Sequence, residues 1–440
     1  MAKKFIVLLA FISMILMSCS NRAEQSDKPV TLKVLGTSEM LFNEQYGNVF
    51  VATHPNYSIE FISASDPILN GEDPLSAYSR LMDQQKPDVV ILSNNMYTYL
   101  TGKGKLVSLN DYINNDEYNL SDVTPAVLSF LKNDAGELYG LTPTFTGTGL
   151  YYNKKLFKEY GVPAPTNGMT WDELFVLAQR FPTSNNGEKQ FGYYSYDAYN
   201  PFLMALHVGQ SKGLSLYNGK SFTFETESWK HIIEQVADCF KQQICFDRST
   251  AKSAATTNRE EMEKRSYPFL QGNIALAMDS SDLYSLLIMN KDRYADLDWG
   301  LVTMPGSEET QGAGTNINLT DIVSIPSDAS EKEGAWTFIN YVAGDQYARL
   351  LPRVNPGHLP VRLGPEGAQG EASAFYAFDR INDGLFDSLR ELPMAVISKL
   401  DEIGPANFND ILSNKMTVDD AIKQMQNEMQ AELNIAKPNQ

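Results

Sequence analysis

Between Val30 and Leu92 the chain alternates short strand-like segments with stretches long enough for helices, and this alternation limits what it can fold into. Val30 to Leu35 switches between apolar and polar residues as a half-buried strand does. Phe42 to Ala52 has helix length, Tyr57 to Ile62 is strand-like again, and Leu75 to Gln85 can be helical. Asp88 to Leu92 reads Asp-Val-Val-Ile-Leu, the near-continuous apolar run of a parallel strand covered on both faces. Strands alternating with helices predict an open α/β sheet. Ligands of such sheets bind outside the carboxyl ends of the strands. That rule selects Thr37, Ser38 and Glu39 at one strand end and Ser93, Asn94 and Asn95 at another. Turn chemistry alone would account for the same residue types.

The chain ahead of this pattern reads as an address. Lys3 and Lys4 precede an apolar run from Phe5 to Met17, thirteen residues long. A bilayer span needs about 20 residues, so the run fits a signal-peptide core instead. It ends in Leu16-Met17-Ser18-Cys19, which resembles the lipobox of bacterial lipoproteins, with Met17 a departure at a position that is more often small or β-branched. That resemblance implies a signal over 1–18, removed to leave Cys19 as a multiply acylated N-terminus; one acyl chain alone anchors weakly. Residues 19–29 then form a lipidated cysteine and a polar tether. An ordinary secretory signal with an incidental cysteine is the alternative.

About 410 residues follow, too many for one hydrophobic core, so two domains are expected. The formal charge is −18, and removing Lys3 and Lys4 makes it −20. That charge disfavours nucleic acid as a partner, since its phosphates demand clustered Lys and Arg. Cys239 and Cys245 lie in or just beyond a helical segment, Trp229 to Phe246, rich in core residues. Two buried thiols are expected there, although the compartment would permit a bridge. Thr170-Trp171-Asp172-Glu173 and Ser330-Glu331-Lys332-Glu333 fit capping boxes, and Thr417-Val418-Asp419-Asp420 starts the last helix. Gly364 to Ala372 and Thr183 to Lys189 read as surface loops.

Four stretches together are similar to one family. They are Pro87 to Ile91 with Gly104 to Leu109; Leu138 to Pro143 with Gly149 to Phe157 and Thr170 to Leu174; Phe269 to Met278 with Trp299-Gly300 and Met304-Pro305; and Ala335 to Ile339. In this order, behind a lipobox, the chain resembles the bacterial extracellular solute-binding proteins of the maltose-binding-protein type. The resemblance implies a periplasmic-binding-protein type II fold: two α/β lobes joined by chain crossovers, with a ligand cleft between them. Residues 30–143 with 322–375 would form lobe 1, and 148–318 with 376–435 lobe 2. Crossovers would lie near Pro143 to Gly147, near Asn318 to Val323, and beyond the Gly-rich loop. The implied role is the binding subunit of an ABC importer, with permease subunits and a membrane reached through the lipid anchor as partners. The chain would be a monomer, without cofactor, in the periplasm or on the outer face of a membrane.

A sugar suits such a cleft, because its apolar faces stack on aromatic rings while its hydroxyls need fixed polar partners. Tyr193 to Asn200 holds the densest tyrosine cluster, and Tyr196 and Tyr199 are the candidates within it. A strand with alternate rings in the core would give the same pattern. Tyr284 lies past the Ala277-Met278 strand, where the family places a stacking aromatic. Asp279 shares that strand end, where helix capping by Ser280 and Asp282 is the bland reading. Thr144 and Thr146 in the first crossover and Asn316 in the second could bond a ligand, as could Ser38, Glu39, Asn94 and Asn95.

An enzyme is the rival. His54, His207, His231 and His358 are scattered and no HExxH or paired-Cys motif is present, so no metal site is expected. No Gly-x-Ser-x-Gly elbow marks a hydrolase. A thiaminase-like enzyme shares the fold and would need a cleft cysteine. Oligopeptide and polyamine are the alternative ligands, the latter because acids such as Glu39, Asp279 and Asp282 stand near aromatics.

Overall fold

The structure is a computed structural model that describes residues 28–248, 257–307, 313–315, 317–319, 321–354, 358–363, 367–382, 389 and 392–436. Cys19 and Asn316 lie outside these residues. The chain divides into two compact units, one running to Val90 with Asp328–Phe338 added, the other comprising Ile91–Ser327 and Ile339 onward.

In the first unit, strands β1 (Val30–Gly36) and β2 (Tyr57–Ser63) pair in parallel from Val30↔Tyr57 to Gly36↔Ser63. Strand β3 (Val89–Leu92), which the division cuts after Val90, joins β1 in parallel through Val34↔Val89 and Leu35↔Val90. These are the strands the sequence pattern predicts. The first connection is helical from Glu39 to Thr53, longer than Phe42 to Ala52, and has a π-helical segment at Asn43–Gly47. Gly47 belongs there because a Cβ would stand 2.6 Å from Asn43 Oδ1 and 2.8 Å from Phe42 Cε1. Phe42 and Phe50 pack on Phe338 at ring distances of 5.9 and 4.9 Å. Asp88 is buried at the start of β3. Its Oδ2 accepts from Lys33 N–H (3.0 Å), and its Oδ1 from Ser330 N–H (3.1 Å), Ser330 Oγ–H (3.0 Å) and Glu331 N–H (2.9 Å). The entry to the helix Lys332–Val342 is therefore held by the carboxylate just before β3, which takes both Ser330 donors and the Glu331 N–H.

In the second unit, the end of β3, β13 (Ile322–Ser324) and β4 (Gly140–Leu141) follow one another in one sheet, with β13 and β4 antiparallel through Val323↔Leu141. Strand β5 (Thr144–Phe145) pairs with β14 (Leu359–Pro360), and β12 (Ala313–Thr315) with β15 (Arg380–Asn382). The sheet that matters for the site has the order β11–β6–β10–β9: β11 is Trp299–Val302, β6 Thr148–Asn153, β10 Ile274–Ser280 and β9 Phe191–Ser195. β10 runs parallel to β9 and antiparallel to β6. Because side chains alternate between faces, Leu150, Tyr193, Leu276, Met278 and Val302 turn to one face and join the main core. There they meet the helices Trp171–Ala178, Pro201–Ser211, Glu227–Lys241, Met394–Leu412 and Val418–Ala436. The Thr170 capping box forms as expected, and Thr417 caps the last helix by accepting from Asp420 N–H at 3.1 Å.

Three expectations are corrected. Cys239 and Cys245 are joined by a disulfide, not left as thiols. Gln243 takes a left-handed φ of 58°, so the chain reverses after the helix; Cys245 N–H then reaches Cys239 C=O (3.0 Å), and the two Cα atoms come to 5.1 Å. That spacing is within reach of a bridge. Thr183 to Lys189 is a hairpin of β7 (Ser184–Asn185) and β8 (Glu188–Lys189), turned by Asn186 and Gly187, both at positive φ. Asn-Gly is the pair that such a two-residue turn favours. The end of the Gly-rich stretch is a 3₁₀ helix, Gly370–Tyr376.

Candidate functional site

The parallel pairing of β9 and β10 puts their carboxyl ends side by side, at Ser195↔Met278, and Tyr196 N–H continues the ladder to Met278 C=O at 3.2 Å. The antiparallel β6 brings its beginning to the same edge, Thr148 opposite Ser280 and Gly149 opposite Asp279. Ser281 N–H donates to Gly147 C=O at 2.8 Å, so the Thr144–Gly147 segment arrives there too. Thr146 exchanges both backbone hydrogen bonds with Asn318, at 3.0 and 2.9 Å. The segments expected as first and second crossovers thus run beside each other.

Asp279 is the focus. It lies on the sheet face opposite the main core, in line with Ala277, whose register partners are Tyr151 and Tyr194. The residue is 4% exposed. Its Oδ1 accepts from Ser280 N–H at 2.8 Å, whereas its Oδ2 has no hydrogen-bond partner among the described residues. A buried acceptor left unmatched costs about 1–3 kcal/mol, more when charged. Burial raises the Asp279 carboxyl to about 7; Asp282 and Asp197 add to the rise, and the Ser280 N–H and Arg248 oppose it. Tyr194 and Tyr196 have their hydroxyl pKa values raised, first by burial and then by nearby carboxylates. Tyr267 is pushed up to about 12 by burial, with Asp282 and Asp279 contributing. Arg248 donates to Tyr194 Oη at 3.4 Å and to Arg265 C=O at 3.3 Å.

The other sequence candidates separate around this focus. Tyr196 is partly buried with its ring 6.1 Å from that of His207, which bonds the buried Asp197. Tyr199 is 58% exposed. Tyr284 is half-buried and sits edge-on to Trp299 and Phe375, at 6.0 and 5.8 Å. Phe375 in turn lies against Tyr151 and would touch a Cβ on Gly149 at 3.2 Å. Asp282 N–H donates to Ser280 Oγ, so Ser280 is the helix cap, and Asp279 is left to other work. Thr144 is fully buried, its hydroxyl 3.3 Å from His358 Nδ1. Asn94 is buried and spends its amide on backbone: Oδ1 accepts from Leu319 N–H (2.8 Å) and Nδ2 donates to Ile317 C=O (3.3 Å). Asn95 is exposed on the same helix. Ser38 and Glu39 belong to the first unit, where Ser38 caps the helix that Glu39 begins.

Arg248, Tyr151, Tyr194 and Tyr267 were missed by sequence reasoning. The alternation along β9 and β10 is the signal that would have put Tyr194 on the Asp279 face. No local pattern marks Arg248. Elsewhere in the second unit a groove of 910 Å³ is lined by Asp122, Thr124, Asp345, Arg349 and Arg362, but Arg362 is already committed to Asp122, Asn119 C=O and Ala343 C=O. Among the described residues no cluster of His, Cys, Asp and Glu could hold a metal ion, and no helix is long and apolar enough to cross a membrane.

The arrangement of strands and helices is that of the type II periplasmic-binding proteins. A sugar transporter from Rhizobium etli, solved in an open conformation, is 19% identical, with a TM-score of 0.62 over 91% of this chain and 99% of that one. The sugar-binding protein MalE from Xanthomonas citri is 16% identical, with a TM-score of 0.64 over 92% and 98%. A Listeria monocytogenes ABC substrate-binding protein in complex with cycloalternan is 19% identical, with a TM-score of 0.57 over 94% and 100%. The chain belongs to the bacterial extracellular solute-binding protein family, whose sequence model matches residues 33–349. A Brucella abortus (strain 2308) protein, named as a binding protein without a stated ligand, is 23% identical over 346 residues, covering 75% of this chain and 73% of that one.

Proposed function

We propose that this chain is the substrate-binding lipoprotein of an ABC importer, held at the extracytoplasmic side of a cell membrane through Cys19, which takes a sugar or oligosaccharide by hinge closure. The observation that carries this reading is the buried Asp279 carboxyl with an unmatched oxygen, set among tyrosines and Arg248 at converging strand ends. Acceptor, donors and aromatic rings together are what a polyhydroxyl ligand needs. Membership of an extracellular solute-binding family supports the location, and the sugar ligands named for similar structures support the ligand class. The lobes would be 30–143 with 322–375 and 148–318 with 376–435. Ligand would stabilise the closed form in proportion to its preference for it. No chemistry is assigned to the chain. A thiaminase-like reading needs a free thiolate in the cleft, and both Cys239 and Cys245 are consumed by their bridge.

The test is a melting screen of the purified protein against maltose, D-mannitol, cycloalternan, glucosamine, tri-alanine and spermidine. A ligand at a hundredfold excess over Kd adds about 2.7 kcal/mol of stability. A rise in Tm with a sugar, and the same sugar recovered unchanged, is the expected result. A rise only with tri-alanine or spermidine would sink the carbohydrate assignment, and turnover of any hit would sink the binding-protein one.

A further inference from the structure

The unmatched oxygen of Asp279 has a consequence for when the site can bind. Oδ2 is buried near four groups that can donate, the hydroxyls of Tyr151 and Tyr194 from the sheet, the hydroxyl of Tyr267 from the segment before β10, and the guanidinium of Arg248, and near two that cannot, the carboxylates of Asp282 and Asp197. The Tyr151 hydroxyl is already given to Ser280 C=O at 2.7 Å, and none of the others reaches Oδ2. Among the described residues the cluster lacks a donor aimed at Oδ2. A sugar hydroxyl donates one hydrogen and accepts another, so it could give to Asp279 while accepting from Arg248 or Tyr194.

We infer that Asp279 receives a hydrogen bond from a hydroxyl of the ligand and holds it as a carboxylate, so that the protein releases a proton when it takes its ligand. This inference rests on the carbohydrate reading above and adds a pH dependence to it. The groups facing the carboxyl set the balance. Burial with Asp282 from the following helix and Asp197 from the turn after β9 opposes ionisation, while Arg248 and the Ser280 N–H favour it. Tyr194 and Tyr196 stay protonated throughout the neutral range, because their own pKa values are raised. In the unliganded protein the carboxyl titrates at about 7. The carboxylate accepts a ligand hydroxyl more strongly than the neutral carboxyl does, so apparent affinity falls as the ionised fraction falls. Between pH 8 and pH 6 the loss is about tenfold, and near pH 7 about half a proton leaves per ligand bound.

Isothermal titration tests this with the sugar that gives the largest Tm rise in the screen. Wild type is titrated at pH 6 and pH 8, and at pH 7 in phosphate and in Tris, whose different ionisation heats count released protons without any variant. Binding about tenfold tighter at pH 8, proton release at pH 7, and loss of both in Asp279→Asn are expected. Equal affinity at the two pH values, tighter binding at pH 6, or a slope that survives Asp279→Asn would each overturn the inference while leaving the sugar reading intact. If spermidine alone binds, with a slope that Asp279→Asn removes, the carbohydrate reading fails and the role of Asp279 as acceptor stands. Silence from every probe at both pH values overturns both.

Discussion

Asp279 makes the unliganded protein sensitive to pH in a direction opposite to most carboxylates. Its pKa rises on folding, from 3.8 to about 7, because burial penalises the charge. Between those values the unfolded chain has lost the proton and the folded chain keeps it. Stability therefore falls as pH rises from about 4 to 7 and is level above. Asn at this position does not titrate. Asp279→Asn is expected to match wild type near pH 4 and to become progressively more stable than it up to pH 7, by about 4 kcal/mol at most. The measurement is the difference in Tm between the two proteins across that range; a pH-independent offset would show that the carboxyl is not held neutral. A polar residue at a strand end was legible in the sequence, since the apolar run Ile274 to Met278 stops there. Its unmatched oxygen was not, because Tyr151, Tyr194 and Arg248 come from three other segments. Tyr284 shows the reverse case: its position was legible, but the edges of Trp299 and Phe375 against it were not.

Elements whose signals are local were read well. The Thr170 capping box and the β1-to-β3 alternation depend on residues a few positions apart, and they form where the pattern places them. The disulfide was missed because it depends on one left-handed residue, Gln243, whose φ no composition rule fixes. Asp88 was missed as a cap because Ser330 lies 242 positions away. That carboxylate joins β1, β3 and the start of Lys332–Val342 through four donors. Removing it leaves part-buried N–H groups at a helix start without their acceptor, and the loss of a cap of this kind is about 1–2 kcal/mol. Asp88→Ala is therefore expected to lower the stability of the first unit by that amount and to speed amide exchange at Glu331 and in the first turn of the helix. Unchanged exchange there would mean that local residues suffice to cap it.

At the scale of the molecule, the excess of 54 acids over 36 bases disfavours contact with phosphate backbones and says nothing about the fold. What the order of its motifs suggests is the pattern of crossovers, which belongs to the proposal above. Thr146 pairs with Asn318, and Phe375 lies close against Gly147 and Gly149, so three separate passages of the chain meet within a few residues. If the lobes proposed above close on their ligand, these passages are where backbone rotation has to be absorbed, and they would have to move together. Gly149 has no room for a side chain: a Cβ would stand 2.7 Å from Leu301 Cδ1 and 3.2 Å from Phe375 Cε1. Closure shortens the particle, so the radius of gyration from small-angle X-ray scattering should fall when the sugar found in the melting screen is added, and should not change with a sugar that leaves Tm unmoved. Closure is also what makes a ligand bind one state better than another, since equal affinity for open and closed forms shifts nothing. Binding with a clear rise in Tm but no compaction would mean that the Asp279 edge holds its ligand without the lobes moving, and the hinge would have to be abandoned while the site was kept.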